Sequence, residues 1–406
     1  MSETGDMRGW PRTDGRKGIR NILVVAYLVE CAHHVARAIV RPFEGDDVHV
    51  IGFSGCFPND YAQTMMETLC THPNVGGVLL VSLGCENFQK RRLLEVIEAS
   101  GRPAELLTIQ QAGGTRASVE HGRARVSQMR AQLDLLPTVP MAPAELVIGT
   151  ICGGSDATSG IAGNPAAGRA FDLLLSEGAT CVFEETGELI GCEHIMAARA
   201  ITPELGVALV GTVQKAVRYY DAMGYGSFSQ GNAEGGLSTI EEKSLGAYAK
   251  SGRSAIAGIV KPCIQPPRGG LYLLDVVPDG SPRFGFPNIN DTAEIAELMS
   301  CGAHAVIFVT GRGSVVGSAI SPVLKVCANP ETCARMGEDM DVNAGRVIDG
   351  TATLDEVGRE IHDRLIALGR GARTAAERLG HHEFVLTYKT FAPPGPGCLP
   401  APETMP

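Results

Sequence analysis

Residues 22–53 read ILVVAYLVECAHHVARAIVRPFEGDDVHVIGF. The apolar run Ile22 to Ala26 predicts a strand, Glu30 to Arg41 repeats its apolar residues at helical spacing, and Val48 to Phe53 returns to a strand pattern. Strand, helix, strand is the rhythm of a parallel βαβ sheet. It continues with a helix at Tyr61 to Leu69, a fully buried strand at Gly77 to Leu83, and helices at Gln89 to Ser100 and Thr115 to Leu133. A first α/β domain over 1–136 follows. The segment PTVPMAP (137–143) holds three prolines in seven residues and suits a short stiff linker.

A second series begins with a strand at Glu145 to Thr150, the loop CGGSDATSGIAGNP, a helix at Ala166 to Glu177 and a strand at Ala179 to Phe183. Helices at Thr239 to Ala249, Thr292 to Cys301 and Leu354 to Leu368 and strands at Gly270 to Val276 and Ala305 to Thr310 extend it. The expected fold class is therefore α/β: two Rossmann-like parallel-sheet domains with helices on both faces, the second over 144–390, and a Pro-rich tail at 391–406. No clear internal repeat is present.

The chain has 406 residues, 44% of them hydrophobic, enough for two cores. Its net charge of −10 comes without a basic stripe, which argues against nucleic-acid binding. The start MSETGDMRGWPRTDGRKGIRN has no apolar signal region, and stretches such as VGGVLLVSLG fall short of the ~20 residues that cross a bilayer. No membrane association and a cytoplasmic location are expected. Twelve cysteines at scattered spacings are then buried thiols, metal ligands or a mixture.

Three glycine-bearing loops follow predicted strands, where open α/β sheets bind ligands. SGC (54–56), SLGCEN (82–87) and CGGSD (152–156) each carry a cysteine at a strand end. An iron or iron–sulfur site from Cys56, Cys85 and Cys152, with Cys31, is one reading; small buried thiols are the other. No CxxC pair supports the first, and the remaining cysteines read as structural. Anion contacts are expected from Arg312 with Gly311 and Gly313 in TGRGSVVGS, from Arg16 and Arg20 in DGRKGIRN, and from Ser155, Asp156 and Asn164 in the 152–165 loop. Solvated charges and a helix-capping cluster are the plain alternatives. EETGELIGCEH places Glu184, Glu185, Glu188, Glu193 and His194 within eleven residues, suited to metal binding, proton transfer or merely a solvated turn. In GGLSTIEEKSLG, Glu241, Glu242 and Lys243 mark a helix start whose acids also satisfy the helix dipole.

Taken in order, DGRKGIRN, SLGCENFQ, CGGSDATSGIAGNP, GGLSTIEEKSLGAYAKSG, TGRGSVVGS with PVLKV, and MDVNAG resemble the altronate dehydratase and galactarate dehydratase family. The likeness runs from about Asp14 to Phe384 and covers the body that follows a small N-terminal SAF-type domain. The resemblance implies an iron-dependent hydro-lyase that removes water from a sugar acid to give a 2-keto-3-deoxy acid. It implies metal roles for Cys31, Cys56, Cys85 and Cys152, with iron either mononuclear Fe2+ or a cluster. Sulfolactate sulfo-lyase, which releases sulfite and carries the SAF-type piece as a separate small subunit, belongs to the same family. A separate SAF-type partner docking near Phe53, Phe57 and Pro58 is therefore expected, as is a homo-oligomer. Removing a proton α to a carboxylate needs a Lewis acid and a base. Lys243, Lys325, Glu193 and His194 are the base candidates.

Two departures stand out. Gly52 replaces a histidine of the sugar-acid enzymes, with Phe57 and Pro58 following Cys56, and GNAEGG puts Ala233 and Glu234 where the family resembles GNKAGG. They weigh against a doubly charged sugar diacid and toward a divergent hydroxy acid, and they suggest a non-catalytic binding homologue as one alternative; a carbon–sulfur lyase of the sulfolactate type is the other.

Overall fold

The computed structural model describes residues 6–223, 228–267, 269–279 and 290–386. The Pro-rich tail expected at 391–406 lies outside them. The fold is α/β with two parallel sheets flanked by helices. The smaller has four strands in the order Val48–Gly52, Ile22–Tyr27, Val75–Ser82, Ala104–Thr108. The larger has seven, in the order Ile256–Val260, Gly270–Leu274, Thr180–Phe183, Val147–Cys152, Ala305–Thr310, Val323–Cys327, Val342–Asn343.

Alternation along each strand decides which helix it meets. In the small sheet Leu23 and Val25 pack under the helices Glu30–Val40 and Thr115–Leu133, while Val24 and Ala26 turn to Asp60–Cys70 and Lys90–Ala99. In the large sheet Ile148, Ile307 and Leu324 face Asn164–Ser176 and Leu354–Leu368, and Ile151, Val306 and Phe308 face Asp291–Ser300. Val24 and Phe308 belong to one continuous apolar cluster, so helices 60–70, 90–99 and 291–300 form a layer shared by both sheets. Each large side chain sealed in that layer contributes about 1.5–3 kcal/mol.

Polar groups pin the seam between the sheets. The His72 ring contacts the carbonyl of Ala303 at 3.2 Å, Asn74 donates to the carbonyl of His304 at 3.0 Å, and the His304 ring contacts the carbonyl of Lys17 at 2.8 Å. Tyr61 donates to Glu297 at 2.5 Å. Arg20 is also structural: its guanidinium bonds Glu377 bidentately at 2.6 and 3.0 Å and donates to three backbone carbonyls.

Several strands escaped the sequence pattern. Val323–Cys327 carries a lysine in its middle, and Ile256–Val260 is short and interrupted by glycine. Within the proline-rich stretch 137–143, Val139–Pro140 pairs with Arg8–Pro11 in a small antiparallel sheet. Pro140 lies on an edge strand of that sheet, where proline is tolerated.

Candidate active site

Strand Val147–Cys152 ends with Cys152 on the face of Ile148 and Thr150. On the neighbouring strand the chain continues past Phe183 into Glu184 and Glu185, and Glu185 takes a left-handed φ of 86°. That conformation is costly for a residue with a Cβ. It brings the Glu185 carboxylate to the backbone N–H of Cys152 and within 3.2 Å of its Sγ. One short turn later Glu188 lies 3.7 Å from the same sulfur.

Two lysines close the group. Lys243 rides on the helix Ile240–Tyr248, whose start is fixed by Thr239 accepting the N–H of Glu242. Gly160 and Gly246 let that helix touch the 159–163 segment, since a Cβ on Gly160 would stand 2.9 Å from the Gly246 Cα. Lys250 follows in the next turn, where Gly168 leaves no room for a side chain beside Ala249. Lys243 pairs with Glu188 and Lys250 with Glu185, and the Lys250 Nζ also reaches Cys152 Sγ at 3.5 Å. The pairs differ in access: the side chains of Lys243 and Glu188 are 7% and 10% exposed, those of Lys250 and Glu185 0% and 2%. The first pair faces the outside and the second lies behind it.

Electrostatics follow from this burial. Burial, reinforced by Glu185, raises the Glu188 carboxyl to about 8 against the opposing pull of Lys243. Burial and then Glu185 push the Cys152 thiol well above its ordinary range. For Lys243 burial acts downward, but the Glu188 carboxylate outweighs it and the ammonium form is favoured. Behind the strand ends, on the other face, helix Asp291–Ser300 presents Asp291, raised to about 6 by burial and by Glu188, and Glu294. Asn290 caps this helix, accepting from the N–H groups of Thr292 and Ala293.

Cys152, Glu185 and Glu188 place one ligand atom each within 4.8 Å of one another, as do Glu184, Glu185 and Glu294. A sulfur with two carboxylates suits a divalent first-row metal. Thr150 Oγ1, on the same strand face one pleat behind Cys152, is buried without a hydrogen-bond partner. The residues present therefore fit a metal.

The expected site residues are distributed as follows. Cys152 and Lys243 meet in the cluster, and Ser155 Oγ lies 3.6 Å from Cys152 Sγ. Asp156 is buried next door, accepting from Thr158 and Ser159 and bonded by Asn329 at 3.0 Å; it lies against Gly311. Asn164 is buried with its Oδ1 unpaired. Arg312 stands at the rim, donating to the carbonyl of Gly231 at 2.5 Å and pairing with Glu234 at 3.2 Å, while Gly313 donates to Thr310. Cys31, Cys56 and Cys85 are exposed at the carboxyl end of the small sheet. Their loops touch, through the N–H of Asn87 to the carbonyl of Cys56 and that of Glu30 to the carbonyl of Ser54. Among the described residues no potential ligand group of three or more includes them, so Cys152 is not brought together with the other three in one such group. Lys325 faces the other side of the large sheet, in register with Ile151 and Phe308, 3.3 Å from His381. Glu193 is half-buried and His194 exposed at the start of helix Glu193–Ala198. Arg16 is tied to Asp14 and the carbonyl of Thr71, and Arg20 to Glu377. Phe53 is buried core; Phe57 is 68% exposed. Sequence reading singled out Glu185 and Glu188 as part of an acidic run but passed over Lys250, Asp291 and Glu294. Lys250 carries no local signal, because its role depends on a helix packing under a distant strand.

An α/β scaffold with buried, paired acids and bases at its strand ends has the make-up of an enzyme active site. Residues 143–391 match the family described as D-galactarate/altronate dehydratase, C-terminal, and residues 9–134 match D-galactarate dehydratase/altronate hydrolase, second domain. The chain belongs to the D-galactarate/altronate dehydratase family, and it is an enzyme of the lyase class. It is 33% identical to the (2R)-sulfolactate sulfo-lyase subunit beta of Chromohalobacter salexigens, over 93% of this chain and 96% of that one. It is 30% identical to the altronate dehydratase of Escherichia coli, over 92% of this chain and 76% of that one, and 31% identical to that organism's galactarate dehydratase, over 92% and 75%. No helix among the described residues is long and apolar enough to cross a membrane.

Proposed function

We propose that the protein eliminates water from a hydroxylated carboxylate, giving a 2-keto-3-deoxy acid, at the cluster around Cys152. The observation that carries this is the Lys243–Glu188 pair, buried yet open at its outer edge, in front of the sealed Lys250–Glu185 pair. In this reading the Lys243 ammonium first passes its proton to the paired Glu188, the free amine takes the proton α to the carboxylate and delivers it to the β-hydroxyl, which leaves as water, and the resulting enol tautomerises to the keto acid. Glu188 positions Lys243, the Ser155 hydroxyl and the strand-end backbone orient the substrate, and the surrounding apolar faces exclude water from the enediolate. Arg312 leaves Glu234 to grip the substrate carboxylate with its fork. Iron fits Cys152, Glu185 and Glu188 and, when bound, supplies a Lewis acid for the developing enediolate.

The test is anaerobic assay with Fe2+ on aldonates, aldarates and sulfolactate, following keto-acid and sulfite release. Keto acid from a sugar acid, lost at least ~10³-fold in Lys243→Gln, is expected. No turnover of any of them overturns the reading. Sulfite from sulfolactate establishes instead the second reading, a carbon–sulfur lyase. It is favoured by the 33% identity to a sulfolactate sulfo-lyase subunit and by Ala233 and Glu234 in GNAEGG. That relative's name, a subunit beta, also supports a partner subunit. A small SAF-type subunit seated on the loops of Cys31, Cys56 and Cys85, covering Phe57, is the partner proposed, within a cytoplasmic oligomer. Co-purification and a gain in activity on co-expression are expected; an isolated chain with full activity speaks against it.

A further inference from the structure

The metal group and the lysines use the same lone pairs. Glu185 Oε1 accepts the N–H of Cys152, and its Oε2 takes both the Lys250 ammonium and the Cys152 thiol. Cys152 Sγ is in turn touched by Lys250 at 3.5 Å and by Ser155 at 3.6 Å. Lys250 has no exposed surface, so its ammonium does not reach solvent from this position. A divalent ion bridging Cys152 and Glu185 cannot occupy those atoms while Lys250 does, because two cations on one oxygen repel strongly in a site closed to water.

We infer that Lys250 is the built-in occupant of the divalent-metal site, an internal cation that holds Cys152 and Glu185 together and competes with the incoming metal for them. The inference rests on the metal reading of the cluster and adds what sets its affinity. Two features support it beyond proximity. Each lysine already neutralises the glutamate it pairs with, so a metal placed on Glu185 with Lys250 still there adds positive charge to a buried pair that is balanced. Thr150 Oγ1, buried and unpaired on the same strand face, offers an oxygen that the lysine arrangement leaves unused. Lys250 is thus a positioning residue for the ligands.

Cobalt(II) is the probe, because a thiolate ligand gives it a near-ultraviolet charge-transfer band that reports the ligand directly and needs no turnover. Titration of the full chain, by absorption and calorimetry, is compared with Lys250→Met, which keeps the length of the side chain and removes the charge. The variant is expected to bind cobalt(II) at least tenfold more tightly, and cobalt to raise its Tm more than that of the natural chain. Equal or weaker binding in the variant overturns the inference. Lys250→Arg, which keeps a cation paired with Glu185, covers a variant that fails to fold: it is expected to bind cobalt(II) within about threefold of the natural chain, and binding tenfold tighter there overturns the inference. Cys152→Ser separates the two levels. Loss of the band there upholds the metal reading whatever Lys250 does, whereas a band that persists, or that appears in no protein, removes the metal reading and the inference with it.

Discussion

The two sheets end alike in sequence and differently in space. At the small sheet's carboxyl end, glycine loops present Cys31, Cys56 and Cys85 to solvent. At the large sheet's, a glycine loop presents Cys152 to two glutamates and two lysines that bury it. The difference lies in what covers the strand ends. Over the large sheet, helix 240–248 and the turn after it dock through close glycine contacts and deliver both lysines. Over the small sheet nothing comparable among the described residues closes the loops, although Glu86 folds the Cys85 loop around itself through the Gly84 N–H and Lys90. A strand-end cysteine is therefore only a place. Chemistry begins where other elements desolvate it and bring charge.

The strongest way to break this contrast is to disable each end in turn. Glu188→Gln removes the carboxylate that holds Lys243, and kcat/KM is expected to fall at least ~10³-fold, about 4 kcal/mol. Cys152→Ser is expected to lose bound iron by metal analysis. Cys85→Ser should keep both its iron and its turnover within about threefold. Equal losses in Cys85→Ser would return the metal to the open end.

Next in size is the seam that holds the closed end in place. Burial, with His382 stacked at 3.9 Å, lowers His49 from 6.5 to about 4, and burial does the same to His304. The unfolded chain takes up these protons first, so the stability they contribute is present above pH 6.5 and is lost as pH falls toward 4. At 1.36 kcal/mol per unit each accounts for roughly 3 kcal/mol. Chemical denaturation at pH 7.5 and 4.5 should show the loss. His49→Gln should reduce it by about half, His304 keeping its share, and an unchanged pH slope would remove His49 from the seam.

Closure itself is tested by Gly160→Ala. The added methyl meets Gly246 at 2.9 Å and should shift helix 240–248, costing about 1–3 kcal/mol of stability and lowering turnover more than stability accounts for. Equal turnover would show that Lys243 needs no such close seat. The smallest effect belongs to the rim. Arg312→Lys should lower kcat/KM about tenfold, roughly 1.4 kcal/mol, while its half-exposed pair with Glu234 adds under about 1 kcal/mol to stability. Wild-type kinetics would leave Arg312 as a tether of helix Gln230–Glu234.

Much of the scaffold was legible because apolar periodicity is local. The strand at 22–26 and the helix at 115–133 lie where their spacing placed them. Val323–Cys327 was not legible, since Lys325 interrupts the apolar run and is buried only because neighbouring strands and His381 surround it. Within the site, Cys152, Lys243 and the Glu184–Glu188 run were visible as chemistry-bearing residue types at strand ends or helix starts. Their partners were not. Arg20 shows the converse: a residue type suited to gripping an anion, fully used in joining the N-terminal segment to Glu377.

By itself, then, the sequence determined the α/β class, most strands and helices, the family, and the fact that cysteines cluster at strand ends. Those properties depend on residues a few positions apart, through pleat, helical turn and capping. Only the tertiary structure decided which of those cysteines is buried, that Lys250 sits beneath it, and that Lys325 faces the opposite side of the sheet. These outcomes depend on groups tens to hundreds of residues apart, whose desolvation and charge exist only once the helices have closed over the strand ends.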